Sequence, residues 1–277
     1  MRNQLLHIFR NTAFGRETLL QSAYFCDKTG TTLKIYIPRY DQFLMYFPTG
    51  VVTVHLDKAF MRAPKTAAEH AAEVITSAGL DPEFLEPQPS STVNLPVIPL
   101  HFDYMCCPRS ISDLSSRIGP GHIGPKVRAI IQHAAFPVLI PTQVFKAWKH
   151  ITVFFGGSHN AVKALKLGLK LSTLTGFPLS IFTQAQKLPK SHYRQSLEHN
   201  KLLHVIKNHD ANWQFFEKGN FIDNLYDVPH DSLVVVGAYG HGAIRNMLFG
   251  NMMEKIQTYL PNNLLIVGPE FKLELPG

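Results

Sequence analysis

Between Gly237 and Asn251 the chain spaces its glycines as a phosphate cradle does. Gly237 closes an apolar run, Gly240 follows three residues later, and Gly250 comes ten after that with Asn251 directly behind it. Glycine has no Cβ, so backbone amides beside it can approach a phosphate oxygen closely. Asn251 opens a helix predicted over 252–260, with Met252, Met253, Ile256 and Leu260 on its apolar face. The free N–H groups at such a helix start, and the positive end of its dipole, favour an anion. The Asn251 amide is one more donor. Val236 and Met252 flank the cradle, and Tyr239, His241 and Gly242 fall inside it. His241 either touches a phosphate or faces solvent, and Tyr239 either lies along a ligand or packs on protein. A plainer reading competes with the whole pattern. Glycine often ends a strand, Asn often caps a helix, and Asn251 with Glu254 forms a capping-box-like pair.

The elements around the cradle can be read from periodicity. His150–Phe155 is an apolar run rich in β-branched and aromatic residues, closed by the turn Gly156-Gly157-Ser158. Ala161, Ala164, Leu165, Gly168, Leu169 and Ser172 then share one helical stripe, with Lys163, Lys166 and Lys170 off it. Small residues on that stripe suit close packing on a sheet. Leu179–Thr183 is a second strand, 191–207 a helix, Trp213–Phe216 a third strand and 219–228 a short helix. Ser232–Val236 and Leu264–Val267 are fully apolar strands. Continuous apolar strands separated by helices predict a parallel sheet covered on both faces.

The first half repeats this plan less cleanly. Strands are expected at Leu5–Phe9, Thr32–Ile37, Tyr104–Cys107 and Pro137–Ile140, and helices at 15–27 and 64–78, the latter with Ala67, Ala71, Ala72 and Ile75 on one face. The stretch Gly124–Ile131 followed by Phe136–Ile140 parallels Gly250–Ile256 followed by Asn263–Ile266. Two diverged copies therefore account for the length. The boundary is placed near Gln143–Lys149, which separates units at 1–145 and 149–277. The first copy is longer, and 40–60 is its expected insertion, with Val51–Leu56 as an extra β segment.

At this point the chain resembles a tandem member of the universal stress protein family. That family's signature is Gly, two residues, Gly, nine residues, then Gly followed by Ser or Thr. Here it reads Gly237, Gly240, Gly250, Asn251, within Val-Val-Val-Gly237-Ala-Tyr-Gly240-His-Gly and Leu248-Phe-Gly250-Asn-Met-Met-Glu-Lys-Ile256. The resemblance covers 150–270 well and 3–141 weakly. It implies an α/β architecture of two Rossmann-like domains, each a roughly five-stranded parallel sheet flanked by helices, packed as an intramolecular pseudo-dimer. It implies a nucleotide site formed by Val236, Gly237, Tyr239, Gly240, His241, Gly242, Gly250, Asn251 and Met252, together with Gly156, Gly157, Ser158 and Thr183. The implied cofactor is ATP or a related adenine nucleotide, with Mg2+ as its companion ion; other family members bind none.

Two departures bear on that implication. Nucleotide-binding members carry Asp in an Asp-Gly-Ser turn after the first strand, where it contacts the nucleoside; here the turn begins with Gly156. The hydroxyl after the last glycine has become Asn251, whose amide still donates. The absent carboxylate removes a contact worth about 1–2 kcal/mol, roughly tenfold in affinity. The first copy has Cys107-Pro-Arg-Ser110 and Pro120-Gly-His-Ile-Gly124-Pro125 where a cradle would stand. Pro125 has no N–H to give, and the turn Asn11-Thr12-Ala13 also lacks Asp. This copy reads as structural or regulatory.

Composition excludes several other classes. The chain has 277 residues, a formal net charge of +7 and dispersed Lys and Arg, so no specific nucleic-acid partner is expected. No apolar run is long enough to span a membrane, no secretory signal is evident, and three cysteines form no disulfide framework; the cytoplasm is the expected compartment. Cys106 and Cys107 are expected to face opposite sides of a strand, buried. The scattered histidines offer no metal-ligand spacing. There is no Gly-x-Ser-x-Gly elbow, no Gly-x-x-x-x-Gly-Lys-Ser/Thr loop and no convincing catalytic pair. The expected function is a cytoplasmic stress-response protein binding an adenine nucleotide in its second half. A nucleotide-free scaffold and a slow ATP-hydrolysing enzyme are the alternatives, and homodimerisation is a further expectation.

Overall fold

The computed structural model describes residues 2–56, 63–89, 95–109, 111, 123–185, 188–238, 255–256 and 258–273. In the first half, β1 (Gln4–Ile8), α1 (Ala13–Thr29) and β2 (Thr32–Tyr36) lead into a hairpin, β3 (Gln42–Phe47) and β4 (Gly50–His55). Then come α2 (Pro64–Ser77), the short strands β5 (Glu83–Leu85), β6 (Gln88–Pro89) and β7 (Pro96–Ile98), β8 (Tyr104–Cys106), α3 (Pro125–His133) and β9 (Val138–Ile140). The second half runs β10 (His150–Phe154), α4 (His159–Thr175), β11 (Leu179–Gln184), α5 (Lys190–His199), α6 (Leu202–Asn208), β12 (Asn212–Phe216), α7 (Phe221–Asn224), β13 (Ser232–Gly237) and β14 (Asn263–Val267).

Ten strands form one sheet in the order β12-β11-β10-β13-β14-β9-β8-β1-β2-β5. Every neighbouring pair is parallel except β14 and β9, which run antiparallel with Leu265 opposite Leu139. The strand order on one side of that seam mirrors the order on the other. Each five-strand group would otherwise expose an apolar edge strand there, and pairing the two edges satisfies both rows of backbone groups.

Alternation along the strands sends residues to two cores. Leu5, Ile35, Cys106, Leu139, Ile151, Val153, Leu233, Val235 and Leu265 pack under α1, α2, α4, α5 and α6. Leu6, Ile8, Tyr36, Met105, Cys107, Val138, Phe154, Phe182, Val234 and Ile266 pack on the opposite face with α3 residues Val127, Ile130 and Ile131. Cys106 and Cys107 thus face opposite cores. Burial pushes the Cys106 thiol up to about 12 and raises that of Cys107, so neither is a thiolate at neutral pH.

The small-residue stripe of α4 lies on β10. A Cβ on Gly168 would come 2.3 Å from Val153 Cγ2. Gly168→Ala is therefore expected to destabilise by about 1–2 kcal/mol, although alanine is the better helix former; a lowered urea midpoint would show it, and an unchanged or raised midpoint would contradict the packing.

Two features differ from the sequence reading. The helix expected over 191–207 is two helices, α5 and α6. Asn200 Nδ2 donates to Ser196 O at 2.8 Å, and Lys201 takes a left-handed φ of 57°, so a local side-chain bond replaces helix continuation. The expected insertion is larger in consequence than a single β segment. β3 and β4 join β7 and β6 in a second, four-stranded sheet, order β4-β3-β7-β6, which lies over the first half through Tyr36 against Phe43. The strands β3, β5, β6 and β7 were not foreseen. The segment 143–149 is pinned to both halves: Tyr24 Oη donates to Trp148 O at 2.6 Å, Lys146 N to Gln21 Oε1 at 3.0 Å, and Asn263 Nδ2 to Lys146 O at 3.1 Å. Trp148 is buried against Tyr24, Phe25 and Phe177.

Candidate functional site

β10 lies between β11 and β13, and the chain leaves it toward β11 before returning on the other side. This is the topological switch point of the second half, and in open parallel sheets the crevice beyond the strand C-termini at such a point is the ligand site. Phe154 of β10 pairs with Val236 of β13, so the two exits sit side by side.

The β10 exit is the turn Gly156-Gly157-Ser158. Gly157 has φ 75°, a left-handed conformation that glycine adopts without strain. Its carbonyl accepts from Ser196 Oγ at 3.1 Å. Ser158 is the N-cap of α4, and its Oγ accepts from Ala161 N at 3.2 Å. Gly156 is exposed, and a Cβ built on it meets nothing within 4 Å. The space in front of Gly156 is open.

Thr183, at the β11 exit, is fully buried. Its hydroxyl donates to Phe155 O at 2.9 Å and accepts from Trp213 Nε1 at 3.0 Å. It ties β10, β11 and β12 together beneath the crevice.

The β13 exit is shaped by α4. Val236 and Gly237 are buried, and a Cβ on Gly237 would stand 2.4 Å from the carbonyl carbon and oxygen of Asn160 and 2.7 Å from Ala161 N. Glycine is needed here so that the first turn of α4 can lie against the strand end. Ala238 follows, its N–H donating to Val267 O at 2.8 Å while its carbonyl accepts from Asn160 Nδ2. Asn160 is 3% exposed. Helix and strand therefore clamp the backbone at Ala238, one residue into the glycine-spaced stretch. Tyr239, Gly240, His241, Gly242, Gly250, Asn251 and Met252 lie outside the described residues. Beyond them, Lys255–Ile256 and Thr258–Tyr259 are helical, and Ile256 and Leu260 are buried in the core of the α3 face.

Asn160 was absent from the sequence reading. Its signal was an amide side chain in the first turn of an otherwise apolar-faced helix, where Asn bonds to backbone outside the helix. Asn160→Ala removes the clamp and leaves the buried Ala238 carbonyl without that donor. It is expected to destabilise by about 1–3 kcal/mol, checked by chemical denaturation; a change below 0.5 kcal/mol would deny the clamp (about the size of an ordinary surface change).

Among the described residues no group of three or more His, Cys, Asp and Glu side chains is placed to hold a metal ion, and no helix is long and apolar enough to cross a membrane.

The strand order defines a doubly wound α/β protein with a switch-point crevice in its second half. Solved structures of universal stress proteins share that fold. One from Archaeoglobus fulgidus DSM 4304 matches at TM-score 0.62 and 15% identity, covering 97% of this chain and 99% of its own. A functionally unknown protein from Pseudomonas aeruginosa PAO1 matches at TM-score 0.58 and 10% identity, over 97% of this chain and 93% of its own. The cytoplasmic domain of a prokaryotic cation chloride cotransporter matches at TM-score 0.51 and 13% identity, over 96% and 95%. No family model matches the sequence, and no curated protein matches it. At these identities the likeness is one of fold.

Proposed function

We propose that the chain is a tandem universal stress protein, with units at 1–145 and 149–277, whose second half binds ATP or a related adenine nucleotide. The observation that carries this reading is the clamped exit of β13. Asn160 and Gly237 deliver the backbone, at a defined place beside the β10 turn, into the glycine-spaced stretch that ends at Asn251. In this reading the amides of that stretch and the Asn251 side chain hold the phosphates. The nucleoside lies over the Gly156–Ser158 turn, without a carboxylate to hold it, and affinity is correspondingly modest.

Isothermal titration of the purified full-length protein with ATP, ADP and AMP tests the reading. Saturable binding in the micromolar-to-millimolar range, lost on Gly250→Asp, is expected. Absence of heat at millimolar nucleotide would sink it. The second reading is a nucleotide-free scaffold, and Gly156 is the observation that favours it. The proposed setting is a cytoplasmic stress response, with the two halves acting as a built-in dimer.

A further inference from the structure

The two outer edges of the ten-stranded sheet are finished differently. Register aligns the halves: Ile8 pairs with Tyr36 as Phe154 pairs with Phe182, and Phe9 N donates to Tyr36 O as Phe155 N donates to Phe182 O. Tyr36 lies opposite Leu85 as Phe182 lies opposite Gln214. Phe84 therefore stands where the second half has Trp213, and Glu86 where it has Phe215. The helices that lead to these edge strands also match at their starts, with Pro64-Lys65 at α2 and Pro189-Lys190 at α5.

In the second half this place is filled. The rings of Trp213 and Phe215 meet edge-on with centroids 5.9 Å apart, and Lys190 Nζ stands 5.8 Å and 5.2 Å from those centroids. Cation and rings satisfy one another. In the first half the second ring is missing, because Glu86 replaces it. A cavity of 440 Å³ opens there, walled by Ile37, Phe84 and Leu85, with Arg39, Lys65 and Glu86 at its polar side. Phe84 is left 41% exposed. The Lys65 ammonium has no ion pair, hydrogen bond or ring contact among the described residues.

We propose that this cavity binds a small aromatic carboxylate, whose ring lies against Phe84 as Phe215 lies against Trp213 and whose carboxylate meets Lys65. The volume is that of a small-molecule site, and its walls are apolar with few polar groups, as such sites require. A ligand ring beside Phe84 restores the aromatic pair that the other half builds from its own chain. The charge of the ligand follows from the polar side. Arg39 Nη2 donates to Glu86 Oε1 at 3.1 Å, so these two offset each other and Lys65 is the charge left over. The start of α2 adds to the pull on an anion. This 14-residue helix has Ala63 at its N-cap with no side-chain bond, and its first residue is Pro64, so the dipole and the free N–H groups that follow face outward uncapped. Lys65 and Arg39 are exposed, so the attraction is screened by salt and the affinity is modest.

The site lies at the β5 edge, in the half that does not carry the proposed nucleotide site, and it stands or falls independently of that reading. Titration of phenylacetate into the full-length protein at low ionic strength, read by saturation transfer to the ring protons of the ligand, tests it. Saturable binding with a Kd on the order of millimolar is expected for so small a ligand. Lys65→Gln and Phe84→Ser should each weaken it by about threefold or more, and phenylacetamide, which keeps the ring and loses the charge, should bind the wild type more weakly by a similar factor. Both side chains are exposed, and circular dichroism identifies any variant that fails to fold. Phe84→Leu, which keeps apolar bulk and removes the ring, then carries the comparison with an expected loss of about twofold or more. No saturation at tens of millimolar phenylacetate, equal affinity for phenylacetamide, or affinity unchanged by substitution of Lys65 and Phe84 would overturn the proposal.

Discussion

Gly237→Ala is expected to destabilise the protein by about 2–4 kcal/mol with no ligand present. The alanine methyl would stand 2.4 Å from the backbone carbonyl of Asn160. Backbone cannot rotate out of the way as a side-chain tip can. Either the first turn of α4 lifts off the strand end, or β13 shifts against β10 and β14, and each route breaks packing in a fully buried region. Lifting α4 also separates Asn160 Nδ2 from Ala238 O. Trp148 and Trp213, which both pack with the core on the α4 face of the sheet, report the transition by fluorescence in urea. Gly156→Ala is the control, because its Cβ meets nothing within 4 Å, and it should change stability by less than about 0.5 kcal/mol. Equal midpoints for the two variants would mean that α4 does not press on Gly237. A glycine that served phosphate approach alone would show its cost only in ligand binding, so measurement without ligand separates the two reasons for this residue.

Gly156→Asp is expected to raise affinity for adenine nucleotides by about tenfold, or ~1.4 kcal/mol. The position has open space and no left-handed φ, so an aspartate enters without strain. It would sit just before the N-cap of α4, where the helix dipole stabilises a negative charge. A carboxylate there can accept from a ribose hydroxyl, and a hydrogen bond to a charged group contributes about 1.5–3 kcal/mol before the costs of ordering. Titration of ATP and adenosine into the wild-type and variant proteins reads the effect, with adenosine isolating the nucleoside half. An unchanged affinity in a folded Gly156→Asp protein would show that the nucleoside does not lie over this turn. The nucleotide-free reading predicts that same flat result, together with no binding by the wild type.

Most of the second half was legible because its signals are local. The apolar runs at 150–155, 232–236 and 264–267 are strands, and the stripe through Ala161, Ala164, Leu165, Gly168 and Leu169 is the buried face of α4. Burial on both sides makes such strands continuous in apolar residues, and helical packing imposes its period on the sequence directly. The break between α5 and α6 was not legible. Leu197, Leu202 and Ile206 keep an apolar face through it, and periodicity does not reveal that Asn200 turns its amide back on Ser196. The strands β3, β5, β6 and β7 were missed for a different reason. They are short or mixed in polarity, and their β character comes from partners elsewhere, as when Leu44 pairs with Val97 and Lys34 with Glu83.

The site divides along the same line. Its glycines, its turn, its missing carboxylate and the resemblance they carry are properties of residue type and spacing, and the sequence by itself determined them. So was the strand order of the second half. Only the tertiary structure decided why Gly237 is glycine, that Asn160 clamps Ala238, and that Thr183 is spent on Phe155 and Trp213. It alone joined β14 to β9 in one ten-stranded sheet. These facts rest on close approaches and hydrogen bonds between residues far apart in the chain, and such contacts exist only once the sheet has set its register.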